Sequence, residues 1–225
     1  MLAAEVCLDL CLAPLDPHEL YRYLGYPAHA TPAPRVAERI AQAAAGALPA
    51  LRPQGTYAVY RVARRTARSI CLGQVTISGS VGKYLDHSDR AAVFVVTAGV
   101  EISHLAKAAT ADGDAFTAWV RDAAGSWAAE AAADALMLRI RRHLGEKQEL
   151  TLRYSPGYCG MTIGNQQKLF RLVDAEAVGV TLMPSLLMHP LKSISGLVGL
   201  APAEFVGRYL SPCDRCPRTG CHMRR

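Results

Sequence analysis

Residues 101–144 are dominated by alanine, with one interruption at Asp112-Gly113-Asp114 and a basic close at Arg139, Arg141, Arg142 and His143 before Gly145. Alanine has the highest helix propensity, cations suit a helix C-terminus, and glycine commonly follows one. The stretch reads as a long helix with one break, of the closely packing kind that does without a large aromatic core. Aromatics are only 7% of the chain. Trp119, Trp127 and Met137 are the bulky residues expected to face inward, and Gly125 weakens the helix by about 1 kcal/mol relative to alanine. Directly upstream, AAVFVVT (residues 91–97) is a continuous apolar run, as expected of a strand covered on both faces.

The other segments follow in order. Asp16 as N-cap and Pro17 at the first helical position open a short helix through HELYRYL, which stops near Gly25. Pro32 and Pro34 lead into RVAERIAQAAAGAL, closed before Pro53. Residues 56–64 alternate as a strand, and residues 70–78 read as a second strand after the Arg64-Arg65-Thr66 turn. GSVGKYLDHSD supplies a short helix and a turn. Beyond residue 149, LTLRY enters a Pro/Gly loop, followed by a helix at 165–172 and strand-like runs at 178–182 and 195–200. This order predicts an α+β fold: a twisted antiparallel sheet flanked by helices, one of them long and Ala-rich. With 225 residues and 51% hydrophobic content, the chain can bury one sizeable core. We expect a single domain over residues 1–205, with a small helical N-terminal part at about 1–53, and a Cys/Arg-rich tail at 206–225.

The net charge of +6 is uneven. Residues 206–225 hold five arginines (208, 215, 218, 224 and 225) against Asp214, or +4, leaving +2 for residues 1–205. No basic stripe with interleaved aromatics is present, which argues against nucleic-acid binding. The basic tail suits long-range attraction of an acidic partner. No run reaches the roughly 18 apolar residues of a membrane span. The opening MLAAEVCLDLCLAPLD carries Glu5 and Asp9 and has no basic leader, so it does not read as a signal peptide. Seven cysteines without a secretion signal point to the cytoplasm, where clustered thiols bind metal or do redox work more often than they form disulfides. Cys7 and Cys11, one helical turn apart, and Cys71, within a strand, read as small apolar packing residues.

Two stretches in the C-terminal half carry the chemistry. Arg153-Tyr154-Ser155-Pro156-Gly157-Tyr158 is an R-x-x-P-G-Y pattern after a strand. LMPSLLMHPLKSISG (residues 182–196) has the spacing S-x-x-M-x-P-x-x-S-x-S-G at Ser185, Met188, Pro190, Ser193, Ser195 and Gly196. Arginine holds a carboxylate through two parallel charge-assisted bonds, and a Pro-Gly step gives an open loop whose backbone can approach a ligand. The plainer reading is a solvated arginine before an ordinary turn, with serines that satisfy nearby backbone and Met188 in the core.

With VVTAG (residues 95–99) and the long Ala-rich helix in the same order, these stretches resemble the S-adenosylmethionine (AdoMet)-binding reactivation domain of cobalamin-dependent methionine synthase, over roughly residues 91–200. The resemblance implies an activation-domain-like fold and a cofactor site of Arg153, Ser155, Pro156, Gly157, Tyr158, Ser193 and Ser195. Arg153 would anchor the AdoMet carboxylate, the loop backbone would meet the adenine and amino-acid portions, and Tyr158 would face the corrinoid. It assigns no catalytic acid or base. His189 falls near the site mouth or is structural. The family's acidic contact to the AdoMet amino group has no clear counterpart; Asp16 and Asp86 are the nearest candidates.

No D-x-H-x-x-G corrinoid motif occurs, so cobalamin is expected on a partner: a methionine synthase lacking its own activation domain, or another corrinoid methyltransferase. A flavodoxin-like or other electron donor completes the expected set. The implied function is reductive remethylation of that partner's cofactor, with activity only in the complex. The alternative is a non-catalytic adaptor that binds AdoMet or metal and docks to a corrinoid protein.

Cys213-x-x-Cys216-x4-Cys221 sits in the tail, outside the resemblance. A C-x-x-C step puts two thiolates on one side of a turn, as metal sites require. The spacing departs from the ferredoxin run. Zinc would need a fourth ligand, either His222 or Cys159. An iron–sulfur cluster passing electrons to the corrinoid, a zinc site, a redox dithiol and an inert tail are the readings the spacing leaves.

Overall fold

The computed structural model describes residues 1–27, 30–142, 144–158 and 160–206. In chain order the elements are β1 (Ala3–Cys7), α1 (Pro17–Tyr23), α2 (Pro34–Ala45), β2 (Gln54–Thr66), β3 (Ser69–Leu72), β4 (Val75–Ser78), α3 (Val81–Tyr84), β5 (Arg90–Thr97), α4 (Glu101–Ala111), α5 (Ala115–Arg141), β6 (Gln148–Leu150), α6 (Asn165–Phe170), β7 (Thr181–Leu182), β8 (Met188–His189) and β9 (Ser193–Pro202). Among the described residues, no helix is long and apolar enough to cross a membrane.

One antiparallel sheet runs β4-β3-β2-β5-β9-β6, with β1 paired to β2. The first half of β2 lies between β1 and β5, and its second half pairs with β3 beyond a register shift between Val62 and Arg64. The α+β architecture expected from the order of the elements is therefore present, with its long alanine helix as α5.

Strand β5 is the hub. Ala91, Val93 and Val95 join Leu197 of β9 and Leu169 of α6 on one face, while Ala92, Phe94 and Val96 join Val198 and the α5 residues Ala132, Leu136 and Ile140 on the other. Period-two alternation thus separates α5 and α6 onto opposite faces of the sheet. A third cluster seats α1, α2 and α4 on α5 through Leu20, Ile40, Ile102 and Trp127. Asp16 caps α1 as expected, accepting from the His18 N–H at 2.9 Å.

Six expectations need correction. Arg64-Arg65-Thr66 is not a turn but the end of β2, paired with Ser69–Cys71. The run expected as strand at 178–182 begins in a single helical turn at Glu176–Val178 and is extended only at Thr181–Leu182, because Gly179 at φ +67 separates the two. The single strand expected at 70–78 is a hairpin, because Gly73 adopts φ +57 and starts a two-residue turn between Leu72 and Val75; glycine at the first turn position suits such hairpins. Trp119 is 45% exposed, since the inward stripe of α5 runs through Val120, Ala123, Ala124, Trp127 and Ala128. The apolar N-terminus forms strand β1, so Cys7 and Cys11 do not share a helical turn. Cys7 is buried and Cys11 is exposed, so only Cys7 packs as a small apolar residue.

Strand β1 is fastened to α5 by Glu5, which accepts from Tyr57 Oη and Arg139 Nε, both at 2.9 Å. Burial pushes the Glu5 carboxyl upward, but these hydrogen bonds and the Arg139 charge outweigh it and hold the group below its ordinary 4.5. Burial, with the neighbouring Glu5 charge, pushes the Cys7 thiol up to about 11, so it stays protonated at neutral pH. A carboxyl depressed in the fold stabilises it above the unfolded value, and that contribution disappears as pH falls through the folded value. Glu5→Gln should therefore cost about 1 kcal/mol at neutral pH, a modest figure because solvent screens the pair. The gap between variant and wild type should close progressively below the ordinary glutamate value, as read by urea denaturation across acidic pH.

Candidate functional site

The outer side of α5 carries Asp122, Ser126, Glu130 and Asp134, each four residues from the next and so in one line along the helix. That line holds two cations. Lys192, just before β9, places Nζ 2.8 Å from Asp122 Oδ1 and 2.8 Å from Ser126 Oγ. Arg153 places Nη2 3.1 Å from Glu130 Oε2 and 3.0 Å from Asp134 Oδ1. Gly125 makes the first contact feasible, since a Cβ there would lie 3.1 Å from both Ile102 and Lys192 Cγ.

Between these cations the edge of β9 is open. Tyr154 and Leu197 exchange backbone bonds of 2.9 and 3.0 Å, so odd-numbered residues of β9 point their N–H and C=O away from β5. Strand β6 covers only Leu200–Pro202 of that edge. At Ser195 the outward backbone groups have no partner among the described residues.

The loop after Tyr154 folds over this edge. The Tyr154 ring stacks on Tyr84 with centroids 4.6 Å apart. Gly157, at φ +92, closes a tight turn through its N–H to Met161 O at 2.7 Å. The loop lies backbone to backbone against the β4–α3 turn, where a Cβ on Gly79 would come within 2.6 Å of Gly160 O. Asn165, fully buried, locks the two together. Its Oδ1 accepts from Ser78 N at 3.1 Å, and its Nδ2 donates to Ser78 O at 2.9 Å and Thr162 O at 3.2 Å.

These parts enclose a hollow of about 320 Å³ lined on its polar side by Glu130, Ser155, Gln166, Ser193 and Ser195. Pro156, Tyr158, Ile163, Leu187, Met188 and Leu191 supply apolar wall and rim. The size falls in the range of about 300–1,000 Å³ typical of small-molecule sites. Two polar atoms here are buried without a hydrogen-bond partner, Arg153 Nη1 beside the hollow and Ser195 Oγ within it. Buried polar atoms normally are paired, and leaving one unpaired costs about 1–3 kcal/mol, so Ser195 Oγ is a group that a ligand in the hollow can satisfy.

Of the seven residues expected at the cofactor site, Ser155, Pro156, Tyr158, Ser193 and Ser195 line the hollow. Arg153 stands behind Glu130, and Gly157 shapes the loop without lining it. The two serines of β9 differ. Ser193 Oγ bonds Pro190 O at 2.7 Å and lies 3.0 Å from Thr97 Oγ1, a backbone-satisfying role, whereas Ser195 Oγ is left over. Met188 lines the hollow, while Ser185 and His189 are exposed outside it. Asp16 and Asp86 are not at the hollow; Asp16 is spent on its helix cap. The acid that sequence reading missed is Glu130, hidden in an alanine helix, and its signal was the four-residue spacing from Asp122 to Asp134. Gln166 also went unread. Among the described residues, no group of three or more His, Cys, Asp or Glu side chains is placed to hold a metal. Cys159, Cys213, Cys216, Cys221 and His222 lie outside those residues.

A family model described as the activation domain of vitamin B12-dependent methionine synthase matches residues 75–206, more than half of the chain. Among solved structures, the crystal structure of the MetH reactivation domain bound to AdoHcy superposes with a TM-score of 0.68 at 18% identity, covering 93% of this chain and 81% of that one. At that identity the likeness is one of fold. No curated protein matches.

Asn165 makes a test of how the loop is held. Asn165→Leu keeps the volume but strips Ser78 of partners for both its N–H and its C=O. We expect a loss of about 2–4 kcal/mol, read as a lower urea midpoint; an unchanged midpoint would mean that the clamp does not secure the loop.

Proposed function

The chain belongs to the family of activation domains of vitamin B12-dependent methionine synthase, and on that footing we propose that its hollow binds AdoMet and presents the methyl group to a corrinoid held by a partner protein. The observation that carries this reading is the pairing of a charged flank with unsatisfied buried atoms at the R-x-x-P-G-Y loop. On this reading Arg153 Nη1, which has no partner in the free protein, takes the ligand's carboxylate from behind Glu130 while Nη2 stays on Glu130 and Asp134. Glu130, which lines the hollow, supplies the acidic contact for the ammonium, worth about 1.5–3 kcal/mol for a charged hydrogen bond. AdoHcy, the ligand named for the similar solved domain, is the demethylated form of the same molecule.

Tyr158 is 62% exposed at the mouth, beside Ile163, Leu187 and Leu191, all about half exposed. This apolar rim suits contact with the partner's corrinoid face. The corrinoid supplies a nucleophilic cobalt for methyl transfer. This chain's residues hold the donor in line and, once covered, keep water out, so their contribution is positioning. The partner is a methionine synthase lacking this domain or another corrinoid methyltransferase, with a flavodoxin-like donor or another reductant supplying the electron. The tail thiols Cys213, Cys216 and Cys221 carry a separate proposal of metal binding, resting on their spacing alone; anaerobically purified protein free of iron and zinc would remove it.

Single turnover tests the main reading. The chain, a partner with oxidised corrinoid, a reductant and AdoMet should together yield methylcobalamin; AdoHcy binding without methylation would favour an adaptor. In calorimetry, Arg153→Ala and Glu130→Gln should each weaken AdoHcy about tenfold or more. Asp134→Asn, whose side chain is 71% exposed, should change affinity little. Wild-type affinity in both Arg153→Ala and Glu130→Gln would displace the ligand from this hollow.

A further inference from the structure

Asn165 and Gln166 are adjacent amides at the start of α6, and both are almost fully buried, at 2% and 4% exposure. The Asn165 amide is saturated by Ser78 and Thr162. Gln166 lines the hollow, and its carboxamide has no hydrogen bond within the described residues. The carboxamide is left to the hollow, where its C=O and NH2 together can make several bonds with a ligand. Ser195 Oγ, buried and without a hydrogen-bond partner, lines the same hollow.

The two flanks of the hollow differ in charge. Arg153, Glu130 and Asp134 gather on the α5 side. Gln166 comes from α6, which packs on the opposite face of the sheet. A ligand with a zwitterionic end and a neutral heterocycle has one favourable direction in such a space. Its charges meet the carboxylates and guanidinium, and its ring lies toward Gln166 between the apolar side chains of Pro156 and Ile163. A carboxamide presents one acceptor beside one donor. The edge of an adenine ring presents an amine donor beside a ring-nitrogen acceptor, the complement that Asn and Gln read bidentately elsewhere.

We infer that Gln166 is the base-reading residue of the site, accepting from the exocyclic amine of the adenine through Oε1 and donating through Nε2 to the ring nitrogen beside it. This rests on the AdoMet reading given above and assigns the nucleoside end of the ligand to the α6 flank. A site built around a hydrogen bond rejects an analogue that lacks the matching group, because the protein's own buried group is then left unpaired. Gln166 is therefore a specificity residue and contributes little to holding the ligand-free fold together.

The test is a cycle of protein variant against ligand analogue, measured by calorimetry on the full chain with AdoHcy and with the analogue carrying hydrogen in place of the exocyclic amine. Wild type should bind AdoHcy about tenfold or more tighter than the analogue. Gln166→Met, close in size and apolar, should bind AdoHcy about as weakly as wild type binds the analogue, with a preference of about twofold or less. Gln166→Glu keeps an acceptor but no donor and should fall between. Ligand-free Gln166→Met should melt no lower than wild type, since the amide it removes makes no hydrogen bond among the described residues. A Met variant that keeps the wild-type preference, or that melts several degrees lower, overturns the inference while leaving the AdoMet reading standing. Failure of wild type to bind AdoHcy at all would overturn both.

Discussion

The charged flank beside the hollow rests on one line of side chains, the Asp122–Ser126–Glu130–Asp134 stripe of α5, which holds Arg153 and Lys192 in place. The carboxylates are well exposed, at 62%, 38% and 71%, and such pairs add little to global stability. Their effect is on the cations. A free arginine or lysine side chain has about 2 kcal/mol of rotamer entropy to lose on binding. Arg153 and Lys192 have already lost much of theirs to the helix, so less is left for a ligand to remove. The balance of charge matters as well. Three carboxylates against two cations leave one negative charge, which suits a ligand carrying both an ammonium and a sulfonium. Gly125 belongs to the same design. The helix propensity it forfeits is offset by the close passage of Lys192 and Ile102 across it.

What surrounds the stripe breaks the ordinary rules of a core. The β9 edge is unpaired at Ser195, and one guanidinium nitrogen and one hydroxyl are buried alone. Each of these two buried atoms costs the free protein about 1–3 kcal/mol. The fold tolerates this because β5 and its neighbours are packed on both faces, with Phe94 and Leu197 fully buried. Local inconsistencies of this kind, set in an otherwise consistent structure, collect where a protein binds something. Here they share one rigid frame, since Asn165 and the Gly79–Gly160 contact fix the loop to the sheet before any ligand enters.

Much of this was legible in the sequence, and the rest was hidden for identifiable reasons. Apolar runs and alanine content marked β5 and α5 because period and propensity are local properties. The loop residues 155–158 were found through a motif, and all but Gly157 line the hollow. Trp119 was misplaced because a helix turns by about 100° per residue, and in a stripe made mostly of alanine the inward direction is hard to phase. Gly73 carried the hairpin signal that would have split residues 70–78. Glu130 meets an arginine 23 residues away, a pairing that only the tertiary fold creates. Gln166 is harder still, because its meaning lies in what it does not bond. The tail cysteines were read from spacing and lie outside the described residues.

The hollow is also unfinished in a way that bears on chemistry. Its walls are set by the chain, but its mouth is ringed by Tyr158, Ile163, Leu187 and Leu191, apolar side chains that remain about half in water. A site meant only to retain a ligand gains from closing over it. A site meant to pass a methyl group to a cofactor on another protein must leave the reacting end uncovered until that protein arrives. Only then, on the proposed reading, would water be excluded, which would strengthen the electrostatic contacts around the sulfonium and protect a reactive reduced metal. On the proposed reading, the charged flank and the base-reading flank fix the two ends of the donor while the open rim leaves its middle, where the methyl group sits, accessible. Binding and transfer are then separable properties of one surface. On that reading the chain alone would accomplish the first, and the second would begin when the rim is covered.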